Sequence, residues 1–215
     1  MLEPGPSTVL SRSGRPPGLS MRQLGLNVFL MSLSVLFIAS LVGYFITRSQ
    51  SPHWRIADQP GLPSGLWLST VILIGVSAAL EGALRAVRKN QLKALTRRLW
   101  VGLALVLAFL AAQVENWHVM RTAELALPTP TLFTYTFYLL TGLHAAHVVG
   151  GFVPLGIVMA RAERRAYSSS HHEGVALCVK YWHFLGVVWL VLFGALHWPA
   201  PDTAPRAPSV PVTLP

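Results

Sequence analysis

Charge is scarce in this sequence. Asp and Glu together number 8 and Lys and Arg 17 among 215 residues, so charged residues make up 12% of the chain. That is about half the usual share in a soluble domain. With 53% hydrophobic residues, the chain has too little polar surface to cover a fold in water. Cysteine is nearly absent: Cys178 stands alone, which excludes a disulfide framework within the chain and any CxxC metal or redox motif. It reads as a small packing residue. The sequence has no G-x-S-x-G, no H-E-x-x-H and no phosphate-binding loop. It also lacks the internal repeat that would betray the paired halves of a secondary transporter.

What is present is a series of long apolar runs. A bilayer core of about 30 Å takes about 20 apolar residues per helix. Five runs meet that length, at about 24–47, 66–87, 99–117, 131–160 and 174–198. The first is too long for a signal-peptide h-region and has no convincing small-residue cleavage site. Lipid requires each span to satisfy its own backbone groups, so the fold class expected is all-α: a polytopic membrane bundle of five helices. Pro128 and Pro130 precede the fourth span and suit a helix start, and Pro154 within it predicts a kink. Residues 1–23, rich in Pro, Gly and Ser, read as a disordered cytoplasmic tail. Residues 199–215, with six prolines, read as a mobile external tail.

The net charge of +9 raises the question of nucleic acid, but that needs a basic face on a soluble domain. Here the cations sit in short clusters between apolar runs, so no nucleic-acid partner is expected. Five spans put the ends on opposite sides. One side then holds 13 of the 17 basic residues: Arg12, Arg15, Arg22, Arg85, Arg88, Lys89, Lys93, Arg97, Arg98, Arg161, Arg164, Arg165 and Lys180. The other holds 4: Arg48, Arg55, Arg121 and Arg206. The positive-inside rule makes the N-terminus cytoplasmic and the C-terminus external. Trp54, Trp67, Trp117 and Trp198 fall near the outer interface, where an amphipathic ring is at home.

The fourth helix is the most informative. Gly142, Ala146 and Gly150 form one narrow stripe of small residues, suited to close helix packing. His144, His147 and Gly151 form a second stripe. The two histidines could share a metal only if further ligands came from elsewhere. On the fifth helix His183 and His197 lie fourteen residues and about 21 Å apart, and the fourth helix has no pair of matching separation for a haem. No metal or cofactor is therefore expected on this chain, and the imidazoles read as hydrogen-bonding groups between helices or toward lipid and neighbouring subunits. Trp182 and Trp189, seven apart, share a face of the fifth helix, which also carries the dense run Tyr181, Trp182, His183 and Phe184. Glu81 lies inside a span with Arg85 one turn away, an expected intramembrane ion pair.

These segments resemble subunit III of the haem–copper respiratory oxidases, in a short form without the first two of that family's seven helices. Thr141-Gly142-Leu143-His144-Ala145-Ala146-His147-Val148-Val149-Gly150-Gly151 is similar to the family's T-G-x-H-x-x-H-V-x-x-G pattern. Tyr181-Trp182-His183-Phe184, followed by Val188-Trp189, is similar to its last-helix signature. Phe29-Leu30-Met31-Ser32 and Ala86-Val87-Arg88-Lys89 fit more loosely. The resemblance implies a non-catalytic subunit that packs against subunit I, with subunit II in the same complex, and binds phospholipid in a cleft between helices. It implies haem and copper in the partner subunits and a bacterial inner membrane as the location. His144, His147, Tyr181, Trp182, His183 and Trp189 become candidates for lipid or subunit contact. Three departures stand out. Leu33 and Gly186 occupy positions where the family commonly has Glu and Asp, and Gln113-Val114-Glu115-Asn116-Trp117 carries its carboxylate one place early against Q-x-x-E-W. The competing classes are a subunit-III-like partner of nitric oxide reductase, a small transporter and a haem-binding membrane cytochrome.

Overall fold

The computed structural model describes residues 20–51, 54, 61–125 and 131–198, and these are mostly helical, with no strand among them. The helices are α1 (Met21–Gln50), α2 (Gly65–Arg88), α3 (Leu92–Leu125), α4 (Leu132–Gly150), α5 (Phe152–Glu163) and α6 (Glu173–His197). Taking α4 and α5 together as Leu132–Glu163, five helical segments are long and apolar enough to cross a membrane. The expected tails fall largely outside the described residues. The described part of the first tail departs from expectation: Met21 to Gln23 are already helical, because the Ser20 hydroxyl caps α1 by accepting from the Gln23 N–H at 3.2 Å.

The fourth span is broken at Gly151 rather than at Pro154. A proline has no N–H to offer the carbonyl four residues back, and its ring crowds that carbonyl. For Pro154 that carbonyl belongs to Gly150, where α4 ends. The interruption is therefore the proline's effect, felt one turn upstream. The chain does not turn away there, since the Leu155 N–H still donates to the Gly151 carbonyl at 3.2 Å.

Side-chain pairs show that successive spans alternate in direction. Asn116 donates to Ser69 at 3.1 Å and Arg98 donates to the Gly82 carbonyl, so α3 runs back along α2. Trp117 donates to Thr141 at 3.0 Å, and the Phe109 ring meets His144 at 5.9 Å, so α4 runs back along α3. Lys180 donates to Asn27 at 2.6 Å, and Tyr44 to the Ala195 carbonyl at 3.3 Å, so α6 runs alongside α1 in the same sense. One end of the bundle consequently gathers Arg22, Arg85, Arg88, Lys89, Lys93, Arg97, Arg98, Arg161, Arg164, Arg165 and Lys180. The opposite end has Arg48 and Arg121 among the described residues. Trp54, Trp67, Trp117 and Trp198 all lie toward that second end: Trp54 packs on Tyr44 and Phe133, Trp67 on Phe193 and His197, and the Trp198 carbonyl accepts from Arg48.

The outside of the bundle is apolar. On α1 the buried residues are Leu30, Leu33, Phe37, Tyr44 and Arg48, one helical stripe, while Val28, Met31, Val35, Ile38 and Val42 are exposed. In water such a surface would be an aggregation hazard; in hydrocarbon it is the expected lipid face. Tight contact is made where side chains are small. A Cβ on Gly102 of α3 would lie 2.8 Å from Leu80 of α2, so this glycine lets the two helices close up. Polar side chains tie the remaining seams. Trp189 donates its indole N–H to the Thr70 hydroxyl at 3.0 Å.

Thr70→Val keeps the shape and leaves that buried indole donor unpaired. Unfolding of the purified protein in detergent and denaturant should show a loss of about 0.5–2 kcal/mol. Ser40→Ala, whose hydroxyl bonds to its own helix at Leu36, should leave the midpoint unchanged.

Candidate functional site

The two motif-bearing helices meet. His144 lies at the centre of the bundle with 0% exposure, ringed by Phe37 of α1, Phe109 of α3 and Trp189 of α6 at centroid distances of 6.4, 5.9 and 5.1 Å. One turn on, the His147 ring shares a hydrogen bond with the Leu143 carbonyl at 2.7 Å and packs on Phe37 at 5.2 Å. The Tyr181 hydroxyl of α6 donates to the His147 backbone carbonyl at 2.8 Å. Gly151 makes this approach possible: a Cβ there would come within 2.8 Å of the Trp182 ring and 3.0 Å of the Tyr181 ring. The break in the fourth span thus exposes a bare stretch of backbone, and the Tyr-Trp pair of α6 lies against it.

Beside this junction α1, α4, α5 and α6 frame an open cleft of about 480 Å³. Its walls are almost wholly apolar, with Leu26, Phe29, Val153, Ile157 and Leu177 among them. Its polar groups are His147 and Tyr181 partway along, and Arg161 and Tyr167 toward the basic end. Burial raises the Tyr167 hydroxyl above the ordinary tyrosine range, so it stays protonated. Such a cleft can hold an acyl chain along its length with a phosphate near the guanidinium.

The sequence-derived candidates divide by depth. His147 and Tyr181 line the cleft. His144, Trp182 and Trp189, expected at lipid or subunit contacts, are instead enclosed by the chain's own helices, with exposures of 0%, 1% and 1%. His183 points to α2, where its Nε2 is 3.5 Å from Glu81 while Arg85 holds the other carboxylate oxygen at 3.1 Å. Glu81 is thus bonded by Arg85 and approached by the His183 ring from another helix. The small-residue stripe behaves differently from expectation. A Cβ on Gly142 would meet nothing within 4 Å, and Ala146 and Gly150 line the open cleft. Close packing is made one residue off that stripe, at Gly151.

The donor set among the described residues does not fit a haem or a metal. Among the described residues no group of three or more His, Cys, Asp or Glu is placed to hold a metal ion. His183 is engaged with Glu81, and His197 packs between Phe193 and Trp67 with its Nδ1 at the Phe193 carbonyl.

Sequence reasoning missed the buried amides of α3. Gln113 is 1% and Asn116 2% exposed, whereas Glu115 points outward. A one-residue step turns a helix by about 100°, so the displaced carboxylate leaves the interior. The neutral Asn116 occupies the inward position and bonds to Ser69. An amide with a partner is far cheaper to bury than a carboxylate. Leu33, at the second missing acidic position, is buried, and a Cβ on Gly186 would sit 3.2 Å from the Ser77 hydroxyl of α2.

Fold and site define a polytopic α-helical membrane protein whose two signature helices build a packed aromatic–imidazole centre and an apolar cleft. The chain belongs to the cytochrome c oxidase subunit III family, whose pattern it matches over residues 18–200. It is 35% identical over 176 residues to cytochrome c oxidase subunit 3 of Synechocystis sp., covering 80% of this chain and 73% of the relative. Similarity to cytochrome c oxidase subunit 3 of Thermostichus vulcanus is 31% over 180 residues, covering 82% and 86%. The subunit 3 of Spodoptera frugiperda is 31% identical over 132 residues, covering 61% and 86%.

Gly151→Leu should drive Tyr181 and Trp182 off the α4–α5 break. The expected outcome is a loss of about 1–3 kcal/mol, as for other overpacked sites, with a shifted tryptophan emission. Gly142→Ala in the same motif should change neither. Equal effects of the two would show that the motif glycines are not distinguished by this contact.

Proposed function

We propose that this chain is the non-catalytic subunit III of a proton-pumping haem–copper terminal oxidase in a bacterial plasma membrane. In this reading it packs mainly against subunit I, with subunit II in the same assembly, and the haem and copper centres reside in those partners. Its own work is to hold phospholipid in the cleft between α1 and α4–α6 and to keep the complex assembled and stable through turnover. The basic end of the bundle faces the cytoplasm, in keeping with the positive-inside rule.

The observation that carries the reading is the junction of the two signatures. His147 and Tyr181, one from each, sit at the wall of the same apolar cleft, with Arg161 toward its basic end. The chain's part in proton uptake is indirect. Leu33 and Gly186 offer no carboxylate, and Glu81 is held between Arg85 and His183. The relatives' names favour an oxidase over a nitric oxide reductase partner or a transporter.

A tagged chain drawn from native membranes in mild detergent should bring down large oxidase subunits and a reduced-minus-oxidised haem spectrum. A chain that purifies alone and colourless would overturn the assignment. Haem signals accompanied by nitric oxide reductase subunits would transfer it to that enzyme.

A further inference from the structure

A second groove lies on a different face of the bundle, between the start of α3 and the end of α5. Its volume is about 950 Å³, and Lys93, Arg97, Trp100, Ala162, Glu163 and Arg165 line it. That volume is at the upper end of the roughly 300–1,000 Å³ typical of ligand sites. Three cations surround it against one carboxylate, and among the described residues none of the three cations is in an ion pair. Arg165 closes α5 with φ 52°, a left-handed conformation that glycine adopts at lower cost. The chain nonetheless places a guanidinium there.

The pattern continues along α3. Lys93, Arg97 and Trp100 are exposed at spacings of four and three, and the same stripe runs on through Ala104, Leu107, Ala111 and Val114, all exposed. Down one face, over about 31 Å, the helix therefore presents cations, then an indole, then only aliphatic side chains. That is the polarity profile of a phospholipid read from phosphate to acyl chain. Trp at the boundary suits the headgroup level, and cations just outside the hydrocarbon attract anionic lipid. A protein helix docked here would find no polar side chain on the stripe below Trp100 to set its register.

We propose that the α3–α5 groove is a binding site for an anionic glycerophospholipid, distinct from the α1/α4–α6 cleft. The phosphate lies among Lys93, Arg97 and Arg165, with acyl chains along the α3 stripe. Ala162, buried at 2% exposure, forms the floor.

The test uses the full chain with whatever subunits accompany it, stripped of lipid by detergent exchange. Phosphatidylglycerol and phosphatidylcholine are titrated in, and bound lipids are counted by native mass spectrometry. In the wild type one site should prefer phosphatidylglycerol. Lys93→Gln/Arg97→Gln should weaken that site about 25-fold, about fivefold for each cation removed. Arg161→Gln should leave it unchanged while weakening the other cleft, so failure of one lipid reading does not carry the other with it. Equal phosphatidylglycerol affinity in wild type and double variant, or no preference between the two lipids, would overturn the proposal. So would loss of a polypeptide in place of a lipid, which would give the groove to a protein partner. Should the double variant fail to assemble, a photoactivatable phosphatidylglycerol on the wild type decides. Crosslinks in 93–107 and α5 support the site; crosslinks confined to other helices refute it.

Discussion

A transmembrane helix keeps its backbone hydrogen bonds to itself, and the rest of this structure depends on that constraint. With every N–H and C=O engaged along its own axis, the spans have only side chains with which to hold each other. Lipid supplies no hydrophobic drive to bring them together. The seams are accordingly made of three devices. Glycine lets α2 and α3 close up at Gly102. Single hydrogen bonds cross between helices, as from Trp189 to Thr70, Asn116 to Ser69 and Trp117 to Thr141. Rings interlock around His144.

Pro154 shows how breaking the constraint locally is put to use. Removing one donor from the ladder ends α4 at Gly150 and leaves Gly151 without a side chain at a point where the helix is interrupted. The Tyr181–Trp182 pair occupies the space so opened, and Tyr181 then reaches the His147 carbonyl. The motif residues of the fourth and last spans are in this sense one structural unit. The interior it builds is aromatic and uncharged, and where acidic residues would be expected it has Leu33, Asn116 and Gly186. Glu81, near the basic end, is paired with Arg85, and the His183 ring stands on its other side.

Much of the fold was legible in the residues. Span number follows from apolar run length, because the bilayer sets the length a helix needs. The partition of Lys and Arg between the two ends follows from counting spans. Less of the site was legible. The stripe of Gly142, Ala146 and Gly150 satisfies the small-residue rule for helix contact, yet that face borders the cleft and its surroundings, while the neighbouring Gly151 takes the contact. Composition shows that a helix can be approached closely, and the position of the neighbour decides where.

The sequence by itself therefore determined an all-helical, five-span membrane protein, its basic and tryptophan-rich ends, and the two motifs that mark its family. Each of these depends on run length, spacing or charge along one dimension. Tertiary structure alone decided that His144 is interior while His147 meets the cleft, that His183 joins Glu81, and that α3 and α5 enclose a second basic groove. Those outcomes turn on which helix stands beside which. A residue three positions further on faces a different neighbour, and the pattern of a single helix does not say what stands there.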